Sequence, residues 1–318
     1  MWKICLEMAL AGLFTFAPSH AATLSENFAH NPLDQGWQVF GETNLFHWDA
    51  TNLAMEVTWD STQPDSYFYH ALGRTVTTND GFCIVFDLQV NDAVAFNGGA
   101  QLAIGLLDLA EATNTLYSRT LGSLPDVFEL DYFPAFSSGG NSYPASLDAT
   151  LIDSQINYYF AYDNLPLNQG ISYHVLLLHL PNTIGIRGEI FTNGQLMTAL
   201  PMLYNSEPAS DAGAFQLNAL AIMNYADDGY GDDILAHGSV GNLAFATPLP
   251  VGIINSPAPG QVHFASDTNW LYTLEQSVDF QNWSPAAPTV PGNGTTLVLQ
   301  ATNLPPTGSF YRVQTGLR

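Results

Sequence analysis

Past Ala21 the sequence contains no lysine at all and only five arginines, against a large excess of aspartate and glutamate. A chain this poor in cations cannot line a groove for a polyanion, because neutralising phosphates needs clustered Lys and Arg. Nucleic acid is therefore excluded as a partner. The missing lysine also excludes a P-loop and Schiff-base catalysis, since both need that side chain. Cysteine is almost as scarce. Cys5 precedes Ala21 and Cys83 alone follows it, so no internal disulfide can form. The run Phe82-Cys83-Ile84-Val85-Phe86 offers nothing cationic to activate a thiolate, and Cys83 reads as a buried structural thiol.

Long apolar runs are missing as well. No stretch beyond the N-terminus approaches the ~18 residues of a membrane-spanning helix, so the protein is not expected to be membrane-embedded. The N-terminus itself reads as a secretory signal over residues 1–21. Lys3 lies in a short first region, Ile4 to Phe16 are mostly apolar, and Ser19-His20-Ala21 places small residues where a signal peptidase inspects them. Cleavage after Ala21 would leave a secreted or cell-surface protein. Two kinds of catalytic signature are also absent. The seven remaining histidines form neither H-x-H nor H-E-x-x-H, and no G-x-S-x-G elbow occurs.

What is present is strand. Runs rich in Val, Ile, Tyr, Phe and Thr recur between Gly, Asn, Asp and Pro clusters, the pattern of an antiparallel all-β protein. Residues 22–247 contain about a dozen such runs, enough for a sandwich of two antiparallel sheets. Thr192-Asn193-Gly194-Gln195 predicts a hairpin with a type I′ turn. Four prolines punctuate a linker over residues 248–260, and residues 261–318 read as a second, smaller β module. Ser137-Ser138-Gly139-Gly140-Asn141 and Asn97-Gly98-Gly99 read as loops, and Trp283 as a core anchor of the small module.

The chemistry concentrates in Val127-Phe128-Glu129-Leu130-Asp131-Tyr132-Phe133-Pro134. Side chains alternate across a strand, so Glu129, Asp131 and Phe133 share one face while Phe128, Leu130 and Tyr132 share the other. Acids beside an aromatic ring suit a sugar, whose hydroxyls need acceptors and whose faces pack on flat rings. His70, Tyr159 and Tyr162 are further candidates for that site. A second acidic stretch, Asp227-Asp228-Gly229-Tyr230-Gly231-Asp232-Asp233, is flexible enough for Asp227, Asp228, Asp232 and Asp233 to converge on Ca²⁺, though not with EF-hand spacing.

Several stretches resemble the concanavalin A-like lectin/glucanase jelly roll over roughly residues 26–246. They are Gly36-Trp37, Phe46-His47-Trp48-Asp49-Ala50, Phe68-Tyr69-His70-Ala71-Leu72-Gly73-Arg74 and Phe128 to Pro134. Ile171-Ser172-Tyr173-His174-Val175 and Leu235-Ala236-His237-Gly238-Ser239-Val240-Gly241-Asn242 complete the set. Together they are similar to a group of exported proteins of environmental bacteria with no settled function. That group usually has Asp where this chain has Gly241. The tail is similar to a C-terminal module of the same proteins through Tyr272-Thr273-Leu274-Glu275, Asp279-Phe280-Gln281-Asn282-Trp283 and Phe310-Tyr311-Arg312-Val313.

The superfamily includes family 16 glycoside hydrolases, with a strand motif Glu-x-Asp-x-Glu or Glu-x-Asp-x-x-Glu. The resemblance implies a nucleophile at Glu129 and a tuning carboxylate at Asp131. The proton donor's position holds Phe133 or Pro134 instead. Retaining hydrolysis needs two carboxyl groups about 5–5.5 Å apart, one of them protonated. The expectation is therefore an exported glycan-binding protein without catalysis. A divergent hydrolase or lyase is the first alternative, with Asp148, Asp153 or Asp163 as a displaced acid. A structural or adhesive surface protein with no small ligand is the second.

Overall fold

The computed structural model describes residues 24–95, 102–114, 126–138, 140–179, 186–200, 214–226, 234–247, 255–258, 260–266, 270–277, 283–303 and 310–317. The chain divides into two compact units, Thr23–Thr247 and one that contains Pro248–Arg318. The signal segment and the acidic stretch at Asp227–Asp233 lie outside the described residues.

The larger unit is a sandwich of two antiparallel sheets. Its strands, numbered in chain order, begin with β1 (Leu24–Glu26), β2 (Gln38–Phe40), β3 (Phe46–Asp49), β4 (Ala54–Asp60) and β5 (Ser66–Thr77). Then follow β6 (Phe82–Ala95), β7 (Leu102–Leu107), β8 (Val127–Phe133), β9 (Phe136–Ser138), β10 (Asn141–Tyr143) and β11 (Ser146–Ile152). The last six are β12 (Tyr158–Asp163), β13 (Ser172–His179), β14 (Ile186–Thr192), β15 (Gln195–Leu200), β16 (Gln216–Asn224) and β17 (Ile234–Ala246). The eight-stranded sheet runs β15-β14-β13-β6-β17-β4-β3, with β1 also on β17; the seven-stranded sheet runs β12-β11-β8-β7-β16-β5-β2. Among the described residues, helix is confined to α1 (Leu109–Ala112) and two short 3-10 turns. Among the described residues no helix is long and apolar enough to cross a membrane.

Alternation builds the core. Phe82, Ile84, Phe86 and Leu88 of β6 meet Phe128, Leu130 and Tyr132 of β8 in one buried cluster between the sheets. The partner face of β8 therefore leaves the sandwich on the outside of the seven-stranded sheet. A second buried cluster covers part of that outer face, with Tyr67, Ala103, Val127, Ile152, Met223 and Tyr225 among its members. Cys83 is buried, and desolvation pushes its thiol up to about 12 despite a backbone hydrogen bond with Ala246.

Asn193 and Gly194 both take positive φ, 50° and 72°, between β14 and β15, as the Asn-Gly signal requires. One loop expectation is corrected. Ser137 to Asn141 is not plain loop: β9 and β10 pair there, and the rings of Phe136 and Tyr143 stack at 4.4 Å and 7°. Asn97 to Gly99 lie outside the described residues.

The smaller unit carries β18 (Asn255–Ala258), β19 (Gln261–Ala265), β20 (Trp270–Ser277), β21 (Ser284–Pro285), β22 (Val290–Pro291), β23 (Thr296–Gln300) and β24 (Phe310–Leu317). Its own core gathers Val262, Phe264, Tyr272, Leu274, Leu299 and Val313. Trp283 is half-buried instead of central: the Arg312 guanidinium lies 4.4 Å over its ring, and Arg312 Nε donates to Glu275 Oε2 at 2.6 Å.

Candidate functional site

The outer face of the seven-stranded sheet can be read row by row, because residues paired across antiparallel strands point the same way. One row runs Tyr69, Ala221, Gly105, Glu129, Thr150, Phe160. The next runs Tyr67, Met223, Ala103, Asp131, Asp148, Tyr162. A third ends Val127, Ile152, Tyr158. The acids thus sit mid-sheet, between the small residues Gly105 and Ala103 on β7 and a strip of rings on β12.

Gly105 sets the spacing at Glu129. A Cβ there would collide with the Phe128 carbonyl oxygen and approach the Glu129 Cβ to 2.8 Å. Only glycine lets β7 pass this close to β8.

The two central acids are interior groups. Glu129 is 0% and Asp131 1% exposed. The Tyr225 hydroxyl donates to Glu129 Oε2 at 2.6 Å, and the Thr150 hydroxyl donates to Asp131 Oδ2 at 2.7 Å. Both contacts are short, and they fix the acids to neighbouring elements. Asp148, opposite Asp131, is half-buried instead. Burial pushes it up to about 6, with a hydrogen bond from Ser146 partly opposing that. Its Oδ1 is enclosed and accepts no hydrogen bond from the described residues.

The β12 strip is the exposed part of the face. Tyr158, Phe160 and Tyr162 are 38%, 43% and 41% exposed, while Tyr159 and Ala161 between them are buried. Phe160 and Tyr162 lie 6.1 Å apart. Strand geometry sets the three rings about 7 Å apart along one line.

Of the six expected binding residues, Glu129, Asp131, Phe133 and Tyr162 share this face. Two do not. Tyr159 points into the core, where its hydroxyl donates to Asp153 Oδ2 at 3.3 Å. His70 is paired with core residue Leu220 and packs edge-on against Trp37 at 5.5 Å, on the opposite side of the sheet from Glu129. Asp153 is likewise buried at a turn, where it accepts from Asn157 and Gln155. Asp163 accepts from Thr198 of the other sheet. Asp148 is therefore the one displaced acid that reaches the Asp131 row. Tyr158, Phe160, Thr150 and Tyr225 were not among the expected residues.

The calcium residues Asp227, Asp228, Asp232 and Asp233 lie outside the described residues. Among the described residues, no group of three or more His, Cys, Asp or Glu side chains is placed to hold a metal ion.

No family profile and no curated protein matches the chain. Solved structures show distant likenesses to the larger part of the chain. A legume lectin-like domain from Entamoeba histolytica is 13% identical, with 71% of this chain and 98% of that one covered and a TM-score of 0.42. The lectin UEA-II, solved with galactose, is 13% identical over 72% of this chain and 100% of its own, at 0.45. A family 7 alginate lyase in complex with substrate is 10% identical over 72% and 97%, at 0.43.

Proposed function

We propose that this is an exported protein that binds a glycan along the outer face of the seven-stranded sheet, without cleaving it. The observation that carries this reading is the β12 strip: three exposed rings, Tyr158, Phe160 and Tyr162, of which Phe160 and Tyr162 stand in the acid rows. Flat rings in a line offer stacking faces to successive sugars, and exposed rings are otherwise a liability on an edge strand. Asp148, half-buried beside Tyr162, supplies an acceptor for hydroxyl groups. Glu129 and Asp131 act from behind, holding Tyr225 and Thr150 and so the shape of the face. Export rests on the N-terminal signal alone.

A glycan array probed with the chain tests the reading. Selective binding that is lost on joint substitution Tyr158→Ala, Phe160→Ala and Tyr162→Ala supports it. An array with no selective signal refutes it.

One observation favours a second reading, that of a glycan-cleaving enzyme. Asp148 faces Asp131 across the β8–β11 pair and is pushed up to about 6, which suits a proton donor. Calcium at Asp227–Asp233 is proposed from the sequence, since four carboxylates within seven residues repel one another unless screened. If chelator in millimolar calcium leaves the melting temperature unchanged, no such site exists.

A further inference from the structure

We infer that the β12 strip takes a glycan free of anionic groups, and holds it best when the sugars carry free amino groups. The inference rests on the glycan-binding reading and narrows it to one chemical class. The face that bears the strip has three acids, Glu129, Asp131 and Asp148, in the rows that end at Phe160 and Tyr162. No described residue in those rows is cationic. The described arginines of the sandwich are engaged elsewhere. Arg74, near the end of β5, pairs with Asp80 at 2.9 Å, and Arg187, on β14 of the other sheet, pairs with Glu189 at 2.7 Å.

A uronate or sulfate stacked on these rings would bring its charge beside Asp148 with nothing to neutralise it. Like charges a few ångströms apart in a half-buried site repel strongly, and such a mismatch rejects a ligand as effectively as a clash. An ammonium meets the opposite situation. It is attracted by the face of an aromatic ring and by the adjacent carboxylate. The formal net charge of −23 acts in the same direction at longer range, slowing the approach of anionic polymers.

The strip has one competing occupant. β12 pairs with β11 alone among the described strands, so its other edge could receive a second copy of the chain. Rings beside carboxylates favour the sugar, because two such edges would bring like charges together.

Isothermal titration calorimetry with hexamers of glucosamine, N-acetylglucosamine and mannuronate tests the inference on the full chain. The glucosamine hexamer should bind at least roughly tenfold tighter than the mannuronate hexamer. That advantage should shrink when salt is raised from about 50 mM to about 500 mM. Phe160→Leu, which keeps an apolar side chain but no ring, should weaken both amino-sugar hexamers by roughly threefold to tenfold. Asp148→Asn should reduce the preference for the free amine and spare the N-acetylated hexamer. Equal or tighter binding of mannuronate overturns the charge class while leaving glycan binding standing. Binding of no hexamer, with self-association that Phe160→Leu abolishes, makes the strip a contact between copies and removes both readings.

Discussion

Asp148 of β11 stands directly opposite Asp131 of β8, and both side chains leave the sheet on its outer face. Residues facing each other in this way have Cβ atoms about 4.5–5.5 Å apart, so two carboxyl groups share one neighbourhood. Their surroundings differ. Asp131 is enclosed and receives the Thr150 hydroxyl, whereas Asp148 is half-open and pushed up to about 6 by burial. Neighbouring acids in such unlike surroundings divide the work: Asp131 holds Thr150, and Asp148 is left as the acceptor nearer solvent.

The Asp148 carboxyl makes stability depend on pH in a predictable direction. Its ordinary value is 3.8 and its folded value about 6, so between those limits the folded chain binds more protons than the unfolded one. This group's contribution to unfolding free energy therefore falls as pH rises through that window, and the full cost stands above it. Asp148→Asn removes the cost. Discounted for partial exposure, the expected gain is about 1 kcal/mol near neutral pH, disappearing by about pH 4. Thermal melts of both proteins across that range decide it. Coincident curves at every pH would mean a fully solvated carboxyl.

Tyr225→Phe removes the hydroxyl that reaches buried Glu129 at 2.6 Å. Losing a donor to an enclosed carboxylate costs about 1–3 kcal/mol, so the variant should unfold at lower urea with an unchanged slope. Glu129→Gln in the Tyr225→Phe background should cost less than in the parent, because the shared interaction is already gone. Strict additivity would show that the contact contributes nothing.

Much of this face was legible in residues 127–133. Alternation alone places Glu129, Asp131 and Phe133 on one side of β8, and the first two stand in adjacent rows of the outer face. Alternation also separates Tyr159 from Tyr162, which are three residues apart and so face opposite ways on one strand. What the sequence does not carry is which strands become neighbours. Thr150 reaches Asp131 across 19 residues and Tyr225 reaches Glu129 across 96, and neither pairing has a local signal. His70 lies within a recognisable strand, yet its side follows from how β5 pairs with β16. The β9–β10 hairpin was hidden for another reason: Ser and Gly dominate its composition, while the stacked Phe136 and Tyr143 stand at its ends.

Gly105→Ala should be among the more damaging single-methyl changes in the sandwich. The added Cβ would strike backbone of β8 at Phe128 and Glu129, and backbone cannot rotate aside as a flexible side chain can. Overpacking of this kind costs about 1–3 kcal/mol, and β7 and β8 lie inside the sheet, where neither can splay outward. Urea denaturation measures it. A loss below about 0.5 kcal/mol would mean that the two strands separate easily.

The last prediction separates binding from cleavage. Glu129 and Asp131 match the first two positions of a hydrolase strand motif, but Glu129 is fully enclosed and Phe133 or Pro134 stands where the proton donor would be. Cleavage would have to route a proton through Asp148, on the adjacent strand, while a sugar reached an acid that is 0% exposed. A nucleophile must come within about 3–3.5 Å of the carbon it attacks, which an enclosed carboxylate does not do. Long incubation with laminarin, lichenan, agarose and carrageenan should therefore release no product. Release by the unmodified chain that vanishes in both Glu129→Gln and Asp148→Asn, with binding retained, would make the protein an enzyme with a relocated acid. Release that survives Glu129→Gln but not Asp148→Asn would keep Asp148 as the proton donor and leave Glu129 a purely structural group.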